Sequence, residues 1–254
     1  MRMLWRFFPA AVLGAMLSGV VLSIPARAEP ALAVGEFSKG QQGKGIPSGW
    51  QPLTFKKISA HTRYELVEDR GTVVVRALSQ AAASGLIRHI RIDPVQYPVI
   101  RWRWKITSML KKADVSRKQG DDYAARIYIT FEYDPGRAGI FDRIKYEGAR
   151  LLYGQYPPSA AISYIWEGRA PEGAVIPNAY TDKLMMIVVE SGEEKLNAWV
   201  DEQRNVYEDF KTAFGKEPPV ITGVAIMTDT DNTGETAVSF YGDIGFYKTL
   251  SSDD

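Results

Sequence analysis

Along most of the chain apolar and polar residues alternate with period two, in short runs cut by glycine, proline and acidic turns. That is the pattern of strands with one buried face. Trp50 to Ile58, Tyr64 to Val67, Thr72 to Ala77 and Gly85 to Ile92 follow one another closely, with Glu68-Asp69-Arg70-Gly71 as one of the intervening turns. In Val99 to Ile106 the residues Ile100, Trp102, Trp104 and Ile106 fall on one face, and Arg101, Arg103 and Lys105 on the other. Tyr123 to Tyr133 sends Ala125, Ile127, Ile129 and Phe131 to the core and Arg126, Tyr128, Thr130 and Glu132 outward. If these two strands are neighbours, their outer faces merge into one cationic surface. Further runs at Ser163 to Trp166, Lys183 to Glu190 and around Trp199 continue the series, with Pro171 to Asp182 as loop. Many short strands at this spacing predict an all-β sandwich.

Near the C-terminal end two runs, Val220 to Met227 and Ala237 to Tyr247, flank Asp229-Thr230-Asp231-Asn232-Thr233-Gly234-Glu235. The second run alternates Val238, Phe240, Ile244 and Phe246 against Ser239, Tyr241, Asp243 and Tyr247, which assigns the first four to the core. Between the strand runs, Asn205 to Glu208 has the form of a capping box, Val206, Phe210 and Phe214 share a stripe, and Gly215 ends it, so one helix is expected here. Pro135 to Pro158 breaks the strand rhythm, and Phe141, Ile144 and Gly148 at helical spacing predict a short helical insertion.

The first 28 residues carry Arg2 and Arg6, an apolar run from Phe7 to Ile24, and Ala26-Arg27-Ala28. This predicts a secretory signal peptide over 1–28, removed after Ala28. Residues 29–48, with Gly40, Gly43 and Gly45, are expected to be a flexible lead-in, and 49–250 the single sandwich domain. No later segment is apolar enough to span a bilayer, so the mature chain is expected in the periplasm or secreted.

Composition narrows the chemistry. The whole chain has 31 basic and 30 acidic residues, a balance that gives no global attraction to nucleic acid or anionic lipid. The absence of cysteine excludes disulfides, thiolate metal sites and a cysteine nucleophile. The two histidines, His61 and His89, are too few for a histidine metal cluster. Asp229, Asp231, Thr233 and Gly234 fall at the first, third, fifth and sixth positions of a calcium loop, but Phe240 occupies the twelfth, where an EF-hand needs glutamate. The turn is therefore either an Asx-type turn or a different oxygen-rich Ca2+ site at Asp229 and Asp231, completed by Asp243 or Asp121. No other cofactor is expected. A lyase using Tyr128 or Tyr241 with His89 as base is the most coherent enzymatic alternative.

The segments Asp121-Asp122-Tyr123-Ala124-Ala125-Arg126, Arg204-Asn205-Val206 with Asp209-Phe210, and Thr228 to Gly234 with Tyr241-Gly242-Asp243-Ile244 resemble a family of exported bacterial proteins grouped as a domain of unknown function. The general look is similar to jelly-roll carbohydrate-binding modules, which implies a jelly-roll sandwich and no particular catalytic residue. The reading that follows is a binder of a polar, glycan-like or anionic small molecule or oligosaccharide, held by Arg101, Arg103, Lys105, Arg126 and Tyr128 beside Asp229, Asp231 and Asn232. A glycan-cleaving enzyme on the same scaffold and a cell-envelope assembly factor with a protein partner are its alternatives. Ordinary solvated strand faces with cross-strand ion pairs give the same pattern, and only the fold separates these readings.

Overall fold

The computed structural model describes residues 30–133 and 158–251. The signal peptide expected over 1–28 and the helical insertion expected within 135–158 lie almost wholly outside the described residues. In chain order the strands are β1 (Leu32–Gly35), β2 (Gln51–Leu53), β3 (Arg63–Asp69), β4 (Thr72–Gln80), β5 (Ala83–Ile92), β6 (Val99–Ile106) and β7 (Arg126–Phe131). There follow β8 (Ala160–Glu167), β9 (Val175–Asn178), β10 (Thr181–Ser191), β11 (Val200–Asn205), β12 (Ile221–Asp229), β13 (Thr236–Tyr241) and β14 (Ile244–Tyr247).

These strands form two seven-stranded sheets. The first runs β1-β14-β6-β13-β4-β3, with β11 also paired to β6; the second runs β2-β5-β12-β7-β8-β10-β9. Among its changes of sheet, the chain crosses directly between β4 and β5, between β6 and β7, and between β12 and β13. Because β13 pairs with both β4 and β6 while β12 pairs with both β5 and β7, these three two-strand ribbons lie side by side across both sheets. That is the ribbon winding of a jelly roll, so the expected fold is the observed one.

The core lies between the sheets and is strongly aromatic. Trp102 stacks on Tyr164 at 5.3 Å and Trp104 meets Trp166 at 5.9 Å, each pair joining one sheet to the other. All four are essentially sealed from solvent, and burying a large side chain contributes about 1.5–3 kcal/mol. The helix Val206–Phe214 begins at Asn205, whose side chain accepts from the Glu208 amide at 3.1 Å, and ends at left-handed Gly215. Phe210 of this helix packs on Phe131 at 4.4 Å, which closes one end of the core.

Three sequence expectations change. The segment 29–48 is not simply a flexible lead-in: Leu32–Gly35 pairs with β14, and Phe37 is buried against Trp50 at 5.3 Å. Its apolar residues Leu32, Val34 and Phe37 override the glycine-rich composition around them. Val175–Asn178, expected as loop, pairs with β10. The Asp229 turn joins strands of different sheets and so caps an end of the sandwich.

The run from Ala237 to Tyr247 is two strands with opposite phase. In β13 the buried residues are Ala237, Ser239 and Tyr241, while Val238 and Phe240 are half-buried on the outer face. Tyr241 pairs with Trp104 but Gly245 pairs with Arg101, so one extra residue is accommodated around Gly242-Asp243 in the manner of a bulge. The alternation therefore flips, and Ile244 and Phe246 do point inward. Ser239 and Tyr241 tolerate burial because their hydroxyls are satisfied: Ser239 donates to the Ala124 carbonyl, and Tyr241 donates to the Met227 carbonyl at 2.7 Å.

Candidate functional site

The expected single cationic surface does not form. β6 belongs to the first sheet and β7 to the second, so Arg101, Arg103 and Lys105 emerge on one outer face of the sandwich and Arg126 and Tyr128 on the opposite one. Two separate polar sites result.

The first is on the outer face of the first sheet. Alternation along β6 fixes Arg101, Arg103 and Lys105 there, and aromatic residues from three other segments interleave with them. The Arg101 guanidinium lies 4.1 Å from the centre of the Tyr247 ring, Arg103 lies 4.6 Å from Trp199, and the Lys105 ammonium lies 4.2 Å from Phe240. Arg101 is fixed further by donating from Nε to Gln203 Oε1 at 2.8 Å and from Nη2 to the Thr249 carbonyl at 3.0 Å. Lys105 is different in kind: it is only 7% exposed and binds Asp69 at 2.7 Å. Burial pushes the Asp69 carboxyl up, but hydrogen bonds from Lys105 and the Trp199 indole outweigh it and hold the group below its ordinary value. Lys105 thus anchors Trp199 through Asp69 and presents no open cation.

Beside Arg101 and Arg103 the surface opens into a pocket of about 280 Å³, walled also by Glu36, Ser38, Lys39, Asp243 and Tyr247. Its rim is built by the N-terminal segment: Ser38 donates from its amide to Asp243 Oδ1 at 2.8 Å and from its hydroxyl to Oδ2 at 2.5 Å. Trp199 and this rim were missed by sequence reasoning. Trp199 comes five residues after the polar stretch Ser191 to Glu194, and nothing local marks it as crossing onto β6.

The second site is at the end of the second sheet, where the β12–β13 crossing meets the segment leading into β7. Arg126 is 4% exposed and Asp229 1% exposed, and they pair at 2.5 Å. The guanidinium is flanked by the rings of Tyr123 at 5.0 Å and Tyr128 at 5.2 Å. Asp122 holds the turn, accepting from the Asn232 amide at 3.3 Å, from Asn232 Nδ2 at 3.1 Å and from the Thr233 amide at 2.6 Å. Asp121 accepts from Asn178 Nδ2 at 3.1 Å, and the Tyr180 hydroxyl donates to Asn232 Oδ1 at 3.2 Å. Burial pushes both Asp229 and Asp231 up; Arg126 opposes this while Asp122 and Asp121 add to it.

Of the predicted residues, the second site therefore brings together Arg126, Tyr128, Asp229, Asp231 and Asn232, and the first site Arg101 and Arg103. Asp243, one of the two residues expected to complete a cation site, stands instead at the pocket rim of the first. Of the two tyrosines considered with His89 for a lyase, Tyr241 is sealed in the core between the sheets, while Tyr128 and the exposed His89 lie on β7 and β5 of the second sheet, on either side of β12. Among the described residues no helix is long and apolar enough to cross a membrane.

Among curated proteins, no relative matches the chain in sequence. In fold it is similar to the family 11 carbohydrate-binding module from Clostridium thermocellum in complex with a β-1,3-1,4-mixed-linked tetrasaccharide. The identity is 9% and the TM-score 0.42, over 89% of this chain and 99% of that one. It is also similar to the cellulose induced protein Cip1, at 12% identity and a TM-score of 0.35, over 87% of this chain and 99% of that one. Likenesses this distant assign no ligand. Residues 48–245 match the family model described as protein of unknown function (DUF3047), and with most of its length inside that match the chain belongs to this family.

Proposed function

We propose that the protein is exported to the periplasm by its N-terminal leader and binds an acidic, glycan-like ligand on the outer face of the first sheet, at the pocket beside Arg101 and Arg103. The observation that carries this reading is the ladder of guanidinium groups set against half-exposed rings, Arg101 on Tyr247 and Arg103 on Trp199, next to that pocket. A guanidinium offers a planar fork of donors that suits carboxylate or sulfate groups, and stacking on a ring fixes its direction before the ligand arrives. Rings with one apolar face and neighbouring polar groups suit the mixed surface of a sugar. The role assigned is binding. Arg126 and Tyr128 take no part in it, because they belong to the opposite face.

The test is calorimetric titration of the mature protein with acidic and neutral oligosaccharides, alongside the variant Arg101→Ala/Arg103→Ala. Binding of an acidic oligosaccharide by the native protein, weakened at least about tenfold in the variant, is the expected result. Equal affinity in the variant, or no binding of any acidic oligosaccharide, overturns the reading.

A further inference from the structure

The second site has a charge imbalance that its own hydrogen bonds leave standing. One carboxylate oxygen from each of Asp122, Asp229 and Asp231 falls within 4.8 Å of the others. Asp122 is 0% exposed and Asp229 1%, so their repulsion is screened far less than at a surface. Arg126 supplies one positive charge and gives it to Asp229 Oδ2. Asp229 Oδ1 is sealed from solvent and, like Nε and Nη1 of Arg126, has no hydrogen-bond partner among the described residues. A buried carboxylate oxygen is costly in that state, and this orphaned atom points to a further group in the cluster.

The donor set says which kind. It is all oxygen, with neither imidazole nor thiolate, which suits a hard cation and not zinc. Calcium sits about 2.3–2.6 Å from each ligand oxygen, so one ion reaches oxygens up to roughly 5 Å apart on opposite sides of it, which matches the spacing seen. Calcium also accepts irregular geometry more readily than magnesium. The backbone preorganises the cluster: the Asp229 amide donates to the Tyr123 carbonyl at 3.2 Å and the Thr233 amide holds Asp122 at 2.6 Å.

We propose that Asp122, Asp229 and Asp231 hold a Ca2+ ion that ties the β12–β13 crossing to the segment entering β7. The site is independent of the pocket on the opposite face, so neither proposal depends on the other. Its effect is structural: it neutralises the cluster and occupies the open side of Asp229.

The test uses mature protein stripped with chelator, with no oligosaccharide present. Titration with CaCl2 by calorimetry is expected to show one site, thermal unfolding to shift up by several degrees in excess Ca2+, and Tb3+ to show luminescence sensitised through Tyr123 and be displaced by Ca2+. Asp231 is half-buried and makes the mildest variant. Asp231→Asn, folded by circular dichroism, is expected to lose the unfolding shift and bind at least about tenfold more weakly. Native protein that unfolds identically in chelator and in Ca2+, with no heat of binding, overturns the proposal. So does an undiminished Ca2+ response in folded Asp231→Asn.

Discussion

A Cβ placed on Gly242 would stand 2.5 Å from Cγ of Arg103 and 2.7 Å from its Nε. The bulge between β13 and β14 thus passes directly over the side chain that faces Trp199, and only a glycine leaves room for it. Gly242→Ala is expected to push Arg103 off the indole, costing about 1–2 kcal/mol of stability and weakening acidic-ligand binding about tenfold. Adding Arg103→Ala should recover the stability but not the binding, a non-additivity that a double-mutant cycle in urea measures.

Arg126 and Asp229 form a buried pair whose separation should be strongly destabilising. Arg126→Met leaves Asp229 among Asp122 and Asp231 with no countercharge, and about 3–5 kcal/mol is expected by denaturant unfolding in chelator. Asp229→Asn added to it should cost much less than the sum of the two single changes. A cost below about 1 kcal/mol for Arg126→Met would show that the pair is not what holds this end of the sandwich.

Glu202 lies on the inward side of the edge strand β11 and accepts from the Trp104 indole at 3.0 Å. Burial, and then the Glu190 carboxylate beside it, push its carboxyl up to about 8 from about 4.5. The native state therefore holds a proton that the unfolded chain releases near the ordinary value, and stability falls as pH rises between about 4.5 and 8. The loss is on the order of 1–3 kcal/mol after allowance for partial exposure. Glu202→Gln should flatten that slope, measured as urea midpoints across the pH range; an unchanged slope would assign it to another group.

Tyr241 stands inside the core with its hydroxyl 2.7 Å from the Met227 carbonyl and 2.8 Å from Thr228 Oγ1. It links β13 of one sheet to β12 of the other. Tyr241→Phe leaves those partners buried without it and is expected to cost about 1–3 kcal/mol, visible as a lower thermal midpoint with ligand affinity at the outer pocket unchanged.

Period-two alternation determined most of the strands, because burial of one face leaves its mark residue by residue: Trp102 and Trp104 inward, Arg101 and Arg103 outward. The Asn205 cap and Gly215 stop were legible for the same local reason. Sheet membership was not. Whether β6 and β7 are neighbours depends on where the chain changes sheets, and the polar connection between them carries no signal for it, so the merged surface of five basic and tyrosine residues dissolved into two sites. The phase of β13 was hidden too, since Val238 and Phe240 look like core and Ser239 and Tyr241 do not until their hydrogen-bond partners on the other sheet are in place. Composition and turn chemistry marked Asp229 and Asp231, with Arg126 expected beside them; only the tertiary structure brought Asp122 into the cluster. A carboxylate's neighbours in space, more than its neighbours in sequence, set its charge balance.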